Sequence, residues 1–228
     1  MHSTWTEVVS IIAHDLKTPI SSVKGYIELM QVAGELNERQ QQFSERALHS
    51  LQQMEQLVAR LLELSWIDAD RPLQRDDCHL AELVARSAEL VAELARRRDV
   101  TIHLEIEPEV SVVPAESRRI EQVILNLMSN AIKYNRQGGD VWVSVKNKPD
   151  GIEVSVRDTG IGIAPEDQPH IFERFYRASV HSGEEIEGTG LGLSIVKAVV
   201  EKHHGEVSVE SVVGEGTTFR FWLPRVAE

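Results

Sequence analysis

The sequence predicts an α+β protein in two parts, an antiparallel helical hairpin followed by a larger domain with helices packed on one face of a mostly antiparallel sheet. Apolar residues recur at helical spacing up to about Leu64, whereas strand-like alternation with glycine-containing turns begins only after Val100. The 228 residues suffice for one large or two small globular domains. We place a helical domain at residues 1–70, a linker at 71–78 and a second domain at 79–228.

Two long helices make the predicted hairpin. The first extends from Thr4 to about Val32, and Gly34 stops it; its apolar stripe is Trp5, Val8, Ile12, Leu16, Val23, Ile27 and Met30. The second begins at Asn37, which stands three residues before Gln40 as in a capping box; its stripe is Phe43, Ala47, Leu51, Met54, Val58 and Leu61. Since a hairpin gives each apolar face one partner only, we expect a homodimer that forms a four-helix bundle.

The pattern changes after the charged segment around Pro72, which breaks the helical periodicity. The elements predicted beyond it are a helix at 79–98, a strand at 101–107, a helix at 116–135, strands at 141–146 and 152–157, a helix at 191–204 and a strand hairpin at 207–212 and 217–223.

Composition excludes several classes of protein. The formal net charge of −12 argues against nonspecific nucleic-acid binding, which needs a basic surface. The single Cys78 forms no internal disulfide, and a reducing cytosol is the default for such a chain. No apolar run reaches the ~20 residues that a bilayer-spanning helix needs. We therefore expect a soluble, cytoplasmic chain without nucleic-acid or membrane contacts.

The first candidate site is in the first helix. His14 and Thr18 are one turn apart on the same face, and Asp15 can hold one imidazole nitrogen protonated, which leaves the other as a nucleophile. Pro19 removes the amide that would bond the carbonyl of Asp15, so we expect a bend that exposes the imidazole. An isolated His-Asp pair is more often a solvated surface feature.

A second cluster, on the helix at 116–135, has the residue types that bind a magnesium nucleotide. One face carries two amides, an ammonium and an aromatic ring, at Asn126, Asn130, Lys133 and Tyr134. Amide oxygens suit a hard cation, the ammonium suits phosphate, and the ring suits a base or ribose. The same residues are common on exposed helices, so this cluster alone is a weak indication.

Two glycine-containing segments follow. Asp158, Gly160 and Gly162 come directly after a strand. The carboxylate can accept a hydrogen bond from an exocyclic amine, and the glycines let the backbone approach a flat ring. Alternatively, these residues form only a tight turn. The other segment precedes or opens a helix, where free amides and the helix dipole favour phosphate; its residues are Gly188, Thr189, Gly190, Leu191, Gly192 and Leu193.

An aromatic segment lies between these two. Phe172, Phe175 and Tyr176 could fasten a flap to the domain, with Arg174 or Arg177 near the phosphates. Alternatively, the aromatic rings belong to the core and the acidic run after them is a solvated loop.

In this order, the motifs resemble the transmitter region of sensor histidine kinases from two-component signalling, over about residues 4–224. The resemblance implies a histidine-phosphotransfer hairpin and an ATP-binding α/β sandwich of the kind shared with gyrase, the Hsp90 chaperones and mismatch-repair ATPases. It implies ATP and Mg²⁺ as cofactors, and a response-regulator receiver domain and a second copy as partners. His14 is then the phosphoacceptor, Asp15 its acidic partner, and Thr18 the residue that orients water during dephosphorylation.

The resemblance also assigns the nucleotide site. It implies that Asn130 binds magnesium with Asn126 nearby, and that Lys133 and Tyr134 contact the nucleotide. For the base, it implies that Asp158 recognises the adenine amine and that Gly160 and Gly162 shape the pocket. It further implies that Gly188, Gly190 and Gly192 hold the flap over the triphosphate. The gyrase and chaperone branch has a water-activating Glu where this chain has Asn126. Because an amide cannot accept a proton, we expect His14 rather than water to be the nucleophile.

The expected activity is ATP-dependent autophosphorylation of His14 followed by transfer to an aspartate of a response regulator. Two alternatives stay open: a protein that mainly dephosphorylates that partner, and a non-catalytic docking dimer switched by nucleotide. Most members of the resembled family carry a sensor module ahead of the hairpin, whereas only 13 residues precede His14 here. Either the chain is a soluble kinase that receives its signal through a partner or, as we expect, it is a fragment of a longer protein, whose full-length form could be anchored in a membrane.

Overall fold

The computed structural model describes residues 2–34, 36–68, 72–178 and 189–225, with side chains from Leu16 onward except at 56 and 60–68. The chain divides into two compact units, residues 1–71 and 72–228. Helices α1 (His2–Ala33) and α2 (Glu38–Asp68) form the first unit. None of the described helices is long and apolar enough to cross a membrane.

The hairpin begins its second helix with the predicted capping box. The Asn37 amide donates to Gln40 Oε1 and the Gln40 amide donates to Asn37 Oδ1, both at 3.0 Å. Each bond satisfies a backbone N–H at the helix start that has no partner within the helix. The helix start is therefore fixed by two side chains that lie beside the hairpin turn.

The two helices run antiparallel. Gln31 Nε2 donates to Ser44 Oγ at 2.8 Å near the turn, and Lys24 Nζ lies 3.6 Å from a Glu55 carboxylate oxygen farther along. Helix α1 is continuous through Pro19.

A small apolar core lies between the helices. Ile20, Leu51 and Val58 are each 7% exposed, and Ile27 packs against them. Ile20 was not part of the predicted stripe. Most other described stripe residues stay solvent-accessible within one chain: Leu16, Val23, Met30, Phe43 and Met54 are 41–66% exposed.

Three helices and seven strands make up the described part of the second unit. In chain order they are β1 (Asp76–Cys78), α3 (Leu80–Arg97), β2 (Thr101–Ile106), β3 (Val113–Ala115), α4 (Ser117–Lys133), β4 (Asp140–Lys148), β5 (Gly151–Asp158), α5 (Gly192–Lys202), β6 (Glu206–Val212) and β7 (Gly216–Pro224). The main sheet has the order β2-β4-β5-β7-β6, with β2 parallel to β4 and every other pair antiparallel. The predicted α+β class, with a mostly antiparallel sheet, is confirmed.

The core lies between the sheet and the helices. Alternate residues of the central strands are fully buried, and the buried faces of α3, α4 and α5 supply the other half; the largest of these side chains include Phe221, Leu80, Ile120, Ile124, Leu127, Ile152 and Ile195. Burying such a side chain contributes roughly 1.5–3 kcal/mol. The alternation thus orients one sheet face toward the helices, and this packing fixes the position of α4.

Two short strands differ from the sequence expectation. Strand β1 falls inside the predicted linker at 71–78 and pairs with β3, which was not predicted at all. With three residues each, neither strand is long enough to show an alternation of apolar and polar residues. Asp76 in β1 accepts hydrogen bonds from the amide and the hydroxyl of Ser117, at 3.3 and 2.7 Å, so this segment holds the N-terminus of α4.

A buried histidine holds the same end of α4. His203 Nε2 accepts the Glu116 N–H at 3.0 Å, and His203 Nδ1 donates to the Val199 carbonyl at 2.8 Å. Burial lowers the pKa of His203, which favours the neutral ring that this pattern of bonds needs. The end of α5 is thereby joined to the start of α4.

Candidate functional site

Three of the predicted clusters meet in the second unit. The turn after β5 lies against the end of α4, because a Cβ added to Gly160 would be 2.2 Å from the Tyr134 carbonyl oxygen. The start of α5 lies beside the middle of α4, where the Gly192 Cβ position is 3.7 Å from Asn126 Oδ1. Helix α4 is therefore the element that both glycine segments share.

Helix α4 presents a polar face opposite its buried one. Four half-buried residues make this face, spaced by four, three and one positions: Asn126, Asn130, Lys133 and Tyr134. The residues on the opposite side of the helix are in the core. Within the described part of the chain, the two asparagine side chains have no hydrogen-bond partner. Their amide oxygens are thus available to a ligand, which is what an oxygen site for a hard cation requires.

Asp158 ends β5 and is 5% exposed. Its Oδ1 accepts the Gly160 N–H at 2.8 Å and the Thr217 N–H at 3.2 Å. Burial raises the pKa of Asp158 to about 6, and the two backbone hydrogen bonds oppose that rise. Among the described residues no hydrogen bond goes to Oδ2, so this oxygen can accept a donor from a ligand. The turn expected as an alternative is also present, because the Gly160 bond is that of an Asx turn.

The glycines of this turn are required by close backbone contacts. Gly162 has φ +71°, and a Cβ there would be 2.1 Å from the Val212 carbonyl oxygen. Gly216, which was predicted only as part of the turn between the last two strands, has φ +114° and approaches the carbonyl oxygen of Asp158 in the same way. Any side chain at either position would displace the backbone around the carboxylate.

The second glycine segment is partly described. Gly188 lies outside the described residues; Thr189 and Gly190 precede the helix, Leu191 is fully buried, and Gly192 and Leu193 form the first turn of α5. The free N–H groups of this first turn are at the positive end of the helix dipole. The predicted arrangement of a glycine loop that leads into a helix N-terminus is therefore present.

The aromatic segment is attached to this loop and to the core. The Phe175 N–H donates to the Gly190 carbonyl at 3.0 Å, and the Tyr176 hydroxyl donates to Asp167 Oδ1 at 2.6 Å. Phe172 packs edge-on against Phe219, at 6.2 Å between ring centroids, whereas Phe175 is 62% exposed. The segment thus combines both expectations, since one ring joins the core and another faces solvent. Arg174 and Arg177 are exposed.

The hairpin carries the remaining predicted residues. His14 and Asp15 are in α1, one turn before Thr18, and their side chains lie outside the described part. Thr18 is exposed, and its carbonyl accepts the Ser22 hydroxyl at 3.0 Å.

Two family models match the two units. Residues 4–70 match the His Kinase A phospho-acceptor domain, and residues 115–227 match the histidine kinase-, DNA gyrase B- and HSP90-like ATPases. The chain is a two-component histidine kinase transmitter region. The predicted resemblance is confirmed on both parts of the chain.

Similar proteins agree with this family. The transmitter region is 34% identical over 232 residues to drug sensory protein A of Synechocystis, covering 96% of this chain and 34% of that protein. Its structure resembles the crystal structure of full-length ShkA in complex with AMPPNP, with a TM-score of 0.82 and 25% identity over 97% of this chain and 47% of that one. It also resembles the histidine kinase ThkA in complex with the response regulator TrrA, with a TM-score of 0.69 and 26% identity over 97% of this chain and 62% of that one. The chain thus spans about a third to two thirds of the length of these relatives.

Several contacts of the transmitter region's site were not predicted. Thr217 donates to Asp158 from a distant strand, and Ser211 Oγ donates to the Gly216 carbonyl at 2.9 Å and accepts the Ile163 N–H at 2.8 Å. The Thr217–Asp158 and Ile163–Ser211 bonds join residues 59 and 48 positions apart in the chain. No local pattern marks them, because they depend on the pairing of β5, β6 and β7.

Proposed function

We propose that this transmitter region is an ATP-dependent protein histidine kinase that phosphorylates His14 and then passes the phosphoryl group to an aspartate of a response regulator. The observation that carries the proposal is that one chain combines a phospho-acceptor hairpin containing His14 with an ATPase-type unit. The ShkA structure contains AMPPNP and the ThkA structure contains a response regulator, which supports ATP as substrate and a receiver domain as partner.

In the first step, the lone pair of the unprotonated imidazole nitrogen of His14 forms a bond to the γ-phosphorus, and the bond from this phosphorus to the bridging oxygen breaks to release ADP. Asp15 accepts the hydrogen bond of the other ring N–H and so stabilises the charge that develops on the ring. In the second step a carboxylate oxygen of the partner's aspartate attacks the same phosphorus, and the nitrogen–phosphorus bond breaks.

The nucleotide is assigned to the second unit. We propose that the Asp158 carboxylate accepts a hydrogen bond from the adenine amine and that the segment at 188–193 covers the phosphates. The other side chains that contact the nucleotide are Lys133, Tyr134, Arg174 and Arg177. The residues of the segment over the phosphates are Gly188, Thr189, Gly190, Leu191, Gly192 and Leu193. The turn that holds the buried carboxylate and the start of α5 both border α4, which supports a single ligand in contact with all three segments.

Magnesium fits the donors on α4. Among the described residues no group of three His, Cys, Asp or Glu side chains could hold a metal alone, so the ion would depend on the nucleotide's phosphates for other ligands. We propose that Asn130 provides an amide oxygen, with Asn126 one turn earlier. A bound magnesium ion would neutralise phosphate charge during transfer.

The identity of residue 126 supports a kinase over a hydrolase. An amide at this place cannot take a proton from water, so the site has no general base at the position that the related ATPases use. An imidazole needs no such base, since its unprotonated nitrogen already has a free lone pair. We therefore propose that His14 is the favoured acceptor.

We propose that two copies pair through their hairpins. The apolar residues that stay exposed in one chain, among them Val23 and Phe43, would be covered in a four-helix bundle. Because ATP is the substrate, we place the reaction in the cytoplasm, where ATP is supplied.

Incubation with γ-labelled ATP and magnesium tests the proposal. We expect label on the protein that is stable in base, labile in acid and absent in His14→Gln, and that moves to a receiver domain. Asn130→Asp should abolish labelling while circular dichroism stays unchanged. Labelling that persists in His14→Gln would contradict the proposal.

Thr18 favours one second candidate, since it is exposed one helical turn from His14. If the chain takes no label but accelerates the hydrolysis of a phosphorylated receiver domain, and Thr18→Ala loses this effect, the main activity is that of a phosphatase. If neither activity is found although nucleotide binds, the chain is a docking dimer.

A further inference from the structure

Asn135, just beyond the end of α4, has no part in the site described above. Its Nδ2 donates to the Asp140 carbonyl at 3.0 Å, and its Oδ1 accepts the Thr159 hydroxyl at 3.1 Å. Asp140 begins β4, and Thr159 directly follows Asp158. One amide group therefore joins the end of α4 to the strand pair that carries the buried carboxylate.

These bonds form a closed ring. The Asp140 N–H donates to Thr159 Oγ1 at 3.0 Å, and the Thr159 N–H donates back to the Asp140 carbonyl at 3.2 Å. Because the threonine hydroxyl accepts from Asp140 and donates to Asn135, its orientation is fixed. A Cβ on Gly139 would be 2.3 Å from Asn135 Oδ1, so the amide occupies space that only a glycine leaves.

The ring acts on the carboxylate through the next residue. Thr159 is held on one side by Asn135, and on the other side Gly160 donates its N–H to Asp158 Oδ1. The turn is also anchored at Ile161, whose N–H donates to the Tyr134 carbonyl at 3.1 Å. Displacement of Thr159 would therefore move the amide that orients the Asp158 carboxylate.

We infer that Asn135 is a positioning residue for base recognition: it holds the Asp158 carboxylate in the orientation that distinguishes a base with an exocyclic amine from a base with a carbonyl at that position. The inference rests on the proposed role of Asp158 in binding adenine. Asn135 itself contacts backbone and Thr159, and we assign it no contact with the nucleotide.

Isothermal titration of the full chain with ADP and with inosine diphosphate tests this inference. Inosine diphosphate has a carbonyl where adenine has the amine, so the wild-type chain should prefer ADP. In Asn135→Ala we expect the preference for ADP over inosine diphosphate to fall about five- to tenfold, which corresponds to losing roughly one hydrogen bond between Asp158 and the base. Most of the change should be in the affinity for ADP.

Thr159 provides a second pair of variants. Thr159→Val has nearly the same shape but lacks the hydroxyl, and it should lower the preference like Asn135→Ala. Thr159→Ser keeps the hydroxyl and should retain the wild-type preference. This pair keeps the test decisive even if Asn135→Ala does not fold.

The matched control is Asn147→Ala at the far end of β4. The Asn147 side chain accepts the Ser111 N–H at 3.1 Å and donates to the Glu109 carbonyl at 3.3 Å, so it makes the same kind of connection. Its removal should lower stability and leave the preference for ADP unchanged.

The inference is overturned by an equal loss of affinity for both nucleotides in Asn135→Ala and Thr159→Val, or by an unchanged preference in both. A wild-type chain without any preference would also overturn it, together with the proposed role of Asp158. The kinase proposal would survive each of these results, because labelling of His14 is measured separately.

Discussion

Among single residues, Asp158 is the buried carboxylate of the proposed base site. Its pKa of about 6 lies above the ordinary value of 3.8, so ionisation of this buried carboxylate lowers the stability of the folded protein. Because the pKa is raised on folding, the protonated carboxyl group contributes stability below about pH 4, and this contribution is lost as the pH rises through 6. An amine donor from a base would offset the cost of the ionised form.

Binding of ADP should therefore depend on pH. Above pH 7 the carboxylate is ionised and affinity should be constant, whereas below pH 6 protonation removes the acceptor and the Kd should rise by up to about tenfold per pH unit. Titration calorimetry from pH 5 to 8 measures this. Asp158→Asn should lack this part of the pH dependence, and an equal slope in both proteins would assign it to the phosphates instead.

Two glycines of the site should respond differently to the same substitution. Gly160→Ala would place a methyl group 2.2 Å from the Tyr134 carbonyl oxygen, whereas Gly192→Ala meets nothing nearer than Asn126 Oδ1 at 3.7 Å. We expect Gly160→Ala to lower the free energy of unfolding by at least about 2 kcal/mol and Gly192→Ala by less than about 1 kcal/mol. Urea unfolding followed by circular dichroism compares them, and equal losses would show that the close contact is not rigid.

Among the helices, α2 has a start that is held by two reciprocal hydrogen bonds. Asn37→Ala removes the side-chain acceptor of the Gln40 N–H and should lower the free energy of unfolding of the hairpin by about 1 kcal/mol. Asn37→Asp keeps an acceptor and should be close to wild type. Thermal unfolding of the two variants checks this, and an equal loss in both would mean that the capping oxygen contributes nothing.

The long elements of this chain could be predicted from the sequence because their signals are local. The capping box at Asn37 and the 3.6-residue period of α4 need no knowledge of distant residues. Strands β1 and β3 could not be predicted, since three residues each carry no period and their pairing spans about 37 positions. The polar contacts around Asp158 were predicted only in part, because Thr217 and Asn135 are distant in the chain and only the tertiary fold brings them to this turn.

The hairpin carries an apolar surface that a single chain leaves exposed to solvent. Val23 is 47% exposed on the stripe of α1, and Ser21 is an exposed polar residue on the same helix. Val23→Asp should weaken the proposed dimer by at least about tenfold, because it introduces a charge into the proposed apolar interface, whereas Ser21→Asp should not. Sedimentation velocity over a range of concentrations measures both, and a dimer unaffected by Val23→Asp would place the interface elsewhere.

In the proposed reaction, a nucleotide bound to the second unit phosphorylates the imidazole of His14 in the first unit. This reaction is tested most directly by locating the phosphoryl group after incubation with ATP and magnesium, by mass spectrometry of peptides prepared at neutral to alkaline pH. We expect the phosphoryl group on the peptide that contains His14, attached to the imidazole. A phosphoryl group on any other side chain, or ATP hydrolysis that leaves the protein unmodified, would contradict it.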